Sequence, residues 1–168
     1  MIRPTITPLN RQRIEEAMKK LTERLSESDQ MVLVGVPKGA GVYEDGMTIA
    51  TIAAVNEFGT ADGHIPARPF LRPGVENRAE MYLRLVEKDL PDIVDGKYPM
   101  SRLMNRLGTL ARDGVKQAIN DTHTPENAES TIRQKGSDHP LIDTGIAGLL
   151  GAINYVVADK SDPLEEGL

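Results

Sequence analysis

The chain has 168 residues, 39% hydrophobic and 4% aromatic, with no Trp, no Cys and a formal net charge of −5. That length suits one domain, 1–168, with a core resting on Leu, Ile, Val, Met and Ala. The missing Cys excludes disulfides, thiolate chemistry and Cys-based metal sites, and the acidic balance argues against gripping nucleic acid by neutralising phosphates. A passage through which DNA slides would tolerate that charge. So lean a core also suits a chain that finishes its burial in an oligomer. No segment approaches the ~18 consecutive apolar residues of a membrane span. MIRPTITPLNRQR has no apolar run of signal-peptide length, so synthesis and folding in a cytosol are expected.

Residues 1–7 read as an extended lead-in. Thr7-Pro8 marks a helix start. Ile14, Ala17, Met18, Leu21 and Leu25 then recur at helical spacing, opposite charged residues, until about Ser26–Asp29. Met31–Val36 is short, β-branched and apolar, which predicts a buried strand. Pro37–Gly41 reads as a turn and Val42–Gly46 as a second short piece. Thr48 caps a small helix, Ile49–Phe58, which Gly59 ends. Residues 60–74 carry Pro66, Pro69 and Pro73 and predict a stiff extended loop. In it, Arg68 and Arg72 flank Phe70-Leu71. Pro73 starts a helix with Val75, Tyr82, Leu85, Val86 and Leu90 on its apolar face, and Pro91 stops it. Ser101 caps a further helix with Leu103, Leu107, Leu110, Ala111 and Ala118 on one side. Gly108 and Gly114 inside it each cost about 1 kcal/mol against Ala, which close backbone packing would justify. Thr124-Pro125 opens a short helix closed by Gly136. Ala152–Ala158 predicts a strand, and 159–168 a polar, acidic tail.

Several stretches invite chemical readings. Asp143-Thr144-Gly145, after apolar residues, resembles the active-site loop of retroviral aspartic proteases. Such an enzyme needs two carboxylates about 3 Å apart sharing a proton, here from a homodimer. Only 23 residues follow Gly145, too few for the barrel that follows this motif in those enzymes. The simpler reading makes Asp143 and Thr144 capping residues and Gly145 a turn pivot. Gly35–Gly41 is Gly-rich after a strand but lacks the Gly-Lys-Ser/Thr ending of a phosphate loop. His64, His123 and His139 fall in predicted loops without metal-ligand spacing, although a site built from distant loops stays open. Glu76, Glu80, Glu87 and Asp89 read as a solvated helix face. Nothing assembles into a catalytic set, so no enzyme, no cofactor and no metal are expected.

Three stretches, in order, carry a family resemblance: "GMTIATIAAVNEFGT" at 46–60, "IPARPFLRPGVE" at 65–76, and "TPENAESTIRQKGSDHPLIDTGIAGLLGAINYVV" at 124–157. Together they resemble the tail-completion and neck proteins (minor tail components) of long-tailed bacteriophages, and more loosely the virion-morphogenesis proteins of Mu-like phages. The likeness covers roughly 31–157. It departs at 146–153, where the family has a polar residue and Leu after Thr-Gly and this chain is apolar and Gly-rich. The resemblance implies an α+β domain: a small, mostly antiparallel sheet packed against two or three helices, with an extended Pro-rich loop or arm. It implies a structural virion protein that completes the tail and supports head–tail joining. The expected partners are its own copies in a ring, a hexamer, with the tail tube or terminator protein on one side and head connector proteins on the other. DNA would pass only as cargo, and no membrane is involved. The near alternative is the tail terminator itself, a ring that caps the tube and sets its length; the remote one is a homodimeric protease using Asp143. Arg68, Phe70, Leu71 and Arg72 are the candidate interface residues. They either dock on a neighbour, Phe70 and Leu71 as anchors, or cross over within the chain and bury Phe70 in its own core.

Overall fold

The computed structural model describes residues 29–43, 46–142 and 148–160, together with five positions near the N-terminus, Gln12, Glu16, Lys19, Thr22 and Glu23. Those five are helical and exposed. The lead-in, the turn at Asp143, Thr144 and Gly145, and the tail beyond Lys160 lie outside the described residues.

The chain folds as an α+β domain. Strand β1 (Gln30–Gly35) pairs antiparallel with β2 (Asn154–Asp159), joining regions far apart in sequence. Gln30 faces Asp159, Leu33 faces Val156 and Gly35 faces Asn154. Side chains alternate between faces, so Val32, Val34, Tyr155 and Val157 share one side and Met31, Leu33, Val156 and Ala158 the other. Between the strands run α1 (Ile49–Phe58), α2 (Leu71–Glu76), α3 (Ala79–Val94), α4 (Met100–Asp121), α5 (Glu129–Lys135) and α6 (Leu149–Ala152).

Helix α4 is the spine. It contacts α2, α3 and both strands. Its buried positions, Leu103, Gly108, Ala111, Gly114, Val115 and Ile119, recur at helical spacing. The two glycines do what close packing demands. A Cβ on Gly108 would lie inside the Tyr155 ring, and one on Gly114 would overlap the carbonyl oxygen of Gly74. Gly74 answers from the other side, where a Cβ would come within 2.6 Å of Val115 Cα. Backbone thus meets backbone where α2 crosses α4. The main core joins Val36, Ile49, Ala53, Phe70, Val115, Ile119, Leu141, Leu149 and Ile153.

Several boundaries differ from the sequence expectation. Pro73 does not open its helix but sits in the first turn of α2, two residues in, where its missing N–H has no intrahelical role. Pro91 does not stop α3, which continues to Val94. A proline in the last turn removes one hydrogen bond and leaves the later ones intact, as Asp95 N–H still reaches Pro91 O at 2.9 Å. Ser101 is not the cap of α4; Pro99 holds that position, and its fixed φ of −74° leads directly into the helix. Thr124-Pro125 opens no helix, because α5 begins only at Glu129 behind Ala128. The stretch before it is held by Arg68. Asp89 is not solvated: it is buried and pairs with Arg106 of α4, bracing α3 against the spine.

Candidate functional site: a capped helix and an arginine clasp

The first and second of the three stretches, through "NEFGT" and "IPARPFLRPG", come together in space. Helix α1 starts where Thr48 Oγ1 accepts the Thr51 N–H at 3.0 Å, and ends at Gly59, whose φ of 74° suits glycine. A Cβ there would also strike Ala67 N, at 2.9 Å. The loop 60–70 then doubles back along α1. Thr60 N–H donates to Ile65 O at 3.0 Å, and Arg68 N–H to Asn56 O at 2.6 Å.

Glu57, near the end of α1, is buried at 8% exposure. Its carboxylate accepts the backbone N–H groups of Phe70 at 2.7 Å, Leu71 at 2.9 Å and Arg72 at 3.2 Å. These are the free donors at the N-terminus of α2. The first bond within α2 runs from Gly74 N–H to Phe70 O, so four N–H positions precede it. Glu57 fills three, and the fourth is Pro73, which has none. A distant side chain therefore caps this helix completely, and its negative charge sits at the positive end of the helix dipole. That explains why α2 starts at Leu71 with no cap from Phe70's own side chain.

Arg68 is the second fastener. It is buried, and its guanidinium donates to Pro125 O at 2.6 Å through Nε and to Glu126 O at 2.8 Å through Nη2. Burial pulls its pKa below the usual arginine value. Two carbonyls of a neighbouring loop take the place of water around the cation. Beside this clasp a cavity of about 620 Å³ opens, lined among others by Ile52, Asn56, His64, Arg68, Asn127 and Thr131.

Of the four candidate interface residues, two are engaged within the chain. Phe70 is fully buried in its own core, and Arg68 holds the 125–126 carbonyls. Leu71 is half-buried against the same core, while Arg72 is exposed. The segment is thus a crossover, and Phe70 is not a free anchor for a neighbour. Beside Gly59, Phe58 is a large apolar residue left in solvent, 76% exposed; Val42 and Leu83 are others among the described residues. Sequence reasoning missed Glu57 and Phe58, and no local pattern at the end of α1 marks either of them.

The other chemical readings find these positions. The Gly-rich stretch forms a β-turn, Ala40 N–H to Pro37 O at 2.9 Å, followed by a bridge between Val42 and Thr48. His64 donates its backbone N–H to Asp62, whose carboxyl is held below the usual range mainly by the Thr60 hydroxyl. His123 and His139 pack edge to face at 4.9 Å, and His139 Nε2 lies 3.0 Å from Asn120 O. Among the described residues no group of three or more His, Asp or Glu side chains could hold a metal ion. No helix among them is long and apolar enough to cross a membrane. Compared with family models, curated proteins and solved structures, the chain matches none.

Proposed function

We propose that this chain is a structural virion protein of a tailed bacteriophage, which completes the tail at its head-proximal end and supports head–tail joining as a homo-oligomeric ring. The observation that carries the reading is the union of two of its three signature stretches. "NEFGT" supplies the carboxylate and "IPARPFLRPG" the helix it caps, so a spaced sequence pattern corresponds to one hydrogen-bonded unit. Residue types in that unit are consumed by architecture rather than chemistry: Glu57 and Arg68 both spend their charge on backbone groups. The exposed Phe58 and Val42 add apolar surface of the sort that contacts between copies cover. A ring would present one face to the tail tube and the other to the head connector, and an acidic lumen would let DNA slide without binding.

The test combines assembly and genetics. Purified protein is expected to form rings by electron microscopy or to co-sediment with isolated tails, and a knockout phage is expected to yield unjoined heads and tails. A strictly monomeric protein together with normal virions from the knockout overturns the proposal.

A further inference from the structure

The clasp uses only part of Arg68. A guanidinium carries five N–H donors in one plane. Here Nε donates to Pro125 O at 2.6 Å and Nη2 to Glu126 O at 2.8 Å. Nε and Nη2 share one edge of that plane. The far end, formed by Nη1 and the second Nη2 hydrogen, has no acceptor among the described residues. No atom of Arg68 is both fully buried and without a partner, so the unused Nη1 donors meet free space. The space beside them is the cavity of about 620 Å³ that Arg68 lines.

Charge points the same way. Arg68 is only 6% exposed, and among the described residues no carboxylate pairs with it. The two carbonyls supply dipoles but no counter-charge, and a buried cation without one is costly. Glu126 is the one acid among the described residues that line the cavity, and it offers Arg68 its backbone oxygen rather than its carboxylate. Elsewhere the wall is mostly apolar, with Met47, Ile52, Val55, Ile65 and Pro140, while Ser130 lines it from the first turn of α5. The volume falls within the range of about 300–1,000 Å³ usual for small-ligand sites.

We propose that this cavity binds a carboxylate carrying an apolar body, with the carboxylate in the free fork of Arg68 and the body against Ile52, Val55 and Ile65. The donor set selects the anion, because two parallel N–H groups match the two oxygens of a planar carboxylate. A free organic acid and the C-terminus of a peptide ending in an apolar residue present the same chemistry. The site is independent of the proposed virion role.

Because Arg68→Ala would also loosen the clasp, the charge is challenged from the cavity wall instead. Isotope-labelled full-length protein is titrated near neutral pH, where carboxylates are ionised, and followed by NMR. The probes are phenylacetate and its neutral amide, phenylacetamide, and a short peptide ending in Leu with a free or an amidated C-terminus. The carboxylates are expected to shift the backbone amides of Arg68, Asn127 and Ser130, and the two amides to bind at least about tenfold more weakly. The tighter carboxylate, or the only one to bind, tells whether the source is a small acid or a chain end. Ser130 is exposed and stands where a carboxylate suits the helix. Ser130→Glu sets a competing negative charge on the wall and is expected to weaken carboxylate binding at least about tenfold, whereas the neutral Ser130→Gln keeps it within about twofold. The proposal is overturned if neither carboxylate binds, if acid and amide bind equally, or if the shifts map away from the cavity. It is also overturned if Ser130→Glu binds as the native chain does, or if Ser130→Gln loses as much as Ser130→Glu.

Discussion

The clasp at Glu57 and Arg68 and the apolar groove between β1, α3 and α4 are built by opposite means. Around Glu57 and Arg68, polar groups close the structure: five hydrogen bonds from two side chains tie α1, α2 and the 125–126 loop together. Around β1, α3 and α4, the facing side chains among the described residues are almost wholly apolar. Even the polar group there is unmatched, for the Tyr82 hydroxyl is buried without a hydrogen-bond partner. The contrast teaches where each half gets its specificity. Hydrogen bonds set one geometry and fail when one partner is removed, whereas apolar contacts tolerate change until volume is lost or added.

Substitutions can break that contrast or sharpen it. The largest effect is expected from Phe70→Ala, which empties the centre of the core and should cost about 3–5 kcal/mol in urea unfolding. Its loss should appear in the monomer itself, as a crossover requires; a mutant monomer of native stability that fails only in assembly would restore the docking-arm reading. Next comes Glu57→Ala, which strands three N–H groups, that of Phe70 buried and those of Leu71 and Arg72 partly so, and should cost about 3 kcal/mol. Glu57→Gln keeps one carbonyl oxygen and should lose about half of that. Equal losses for the two would show that charge, rather than acceptor geometry, does the capping. In the other half, Gly108→Ala gains about 1 kcal/mol of helix propensity but displaces the Tyr155 ring, for a net loss of about 1 kcal/mol. Gly39→Ala, with open space around it, serves as the matched control.

The smallest effect is expected at Tyr82. Burial raises its pKa above the ordinary tyrosine value, opposed in part by Arg78. In the unfolded chain the phenol ionises near pH 10. Above that pH the unfolded state binds fewer protons than the folded one, so stability falls as pH rises towards the folded pKa. Tyr82→Phe should leave stability at neutral pH unchanged or slightly higher and remove this alkaline loss. Thermal melts at pH 7 and pH 10.5, roughly either side of the transition, would show it.

Local features of this fold were legible in the sequence. Thr48 and Gly59 bound α1 because a side-chain cap and a positive-φ glycine act within one turn. Gly108 and Gly114 announced close packing because glycine inside a helix needs a reason. The strands β1 and β2 showed as two short apolar runs, although nothing in those runs said that they pair with each other. What escaped was action at a distance. Glu57 reads as one more charge at the end of a small helix, since nothing local shows that a loop returns to it 13–15 residues later. Asp89 looked solvated for the same reason, its partner Arg106 lying on the next helix. The candidate arm was half legible: residues 60–70 stay out of helix, but 71–76 are helical in spite of Pro73, and proline content alone does not tell a crossover from a docking segment.

The pairing of β1 with β2 also sets the order of events during synthesis. Gln30 cannot meet its partner Asp159 until 129 further residues, Asp159 included, have been added, which takes roughly 6–26 s at ribosomal speeds of about 5–20 residues per second. Over that interval β1 is an unpaired apolar strand on a nascent chain. The helices and the clasp can form while it waits, so the sheet is the last seam to close, and a chain stalled before Asn154 keeps an open edge for any passing strand.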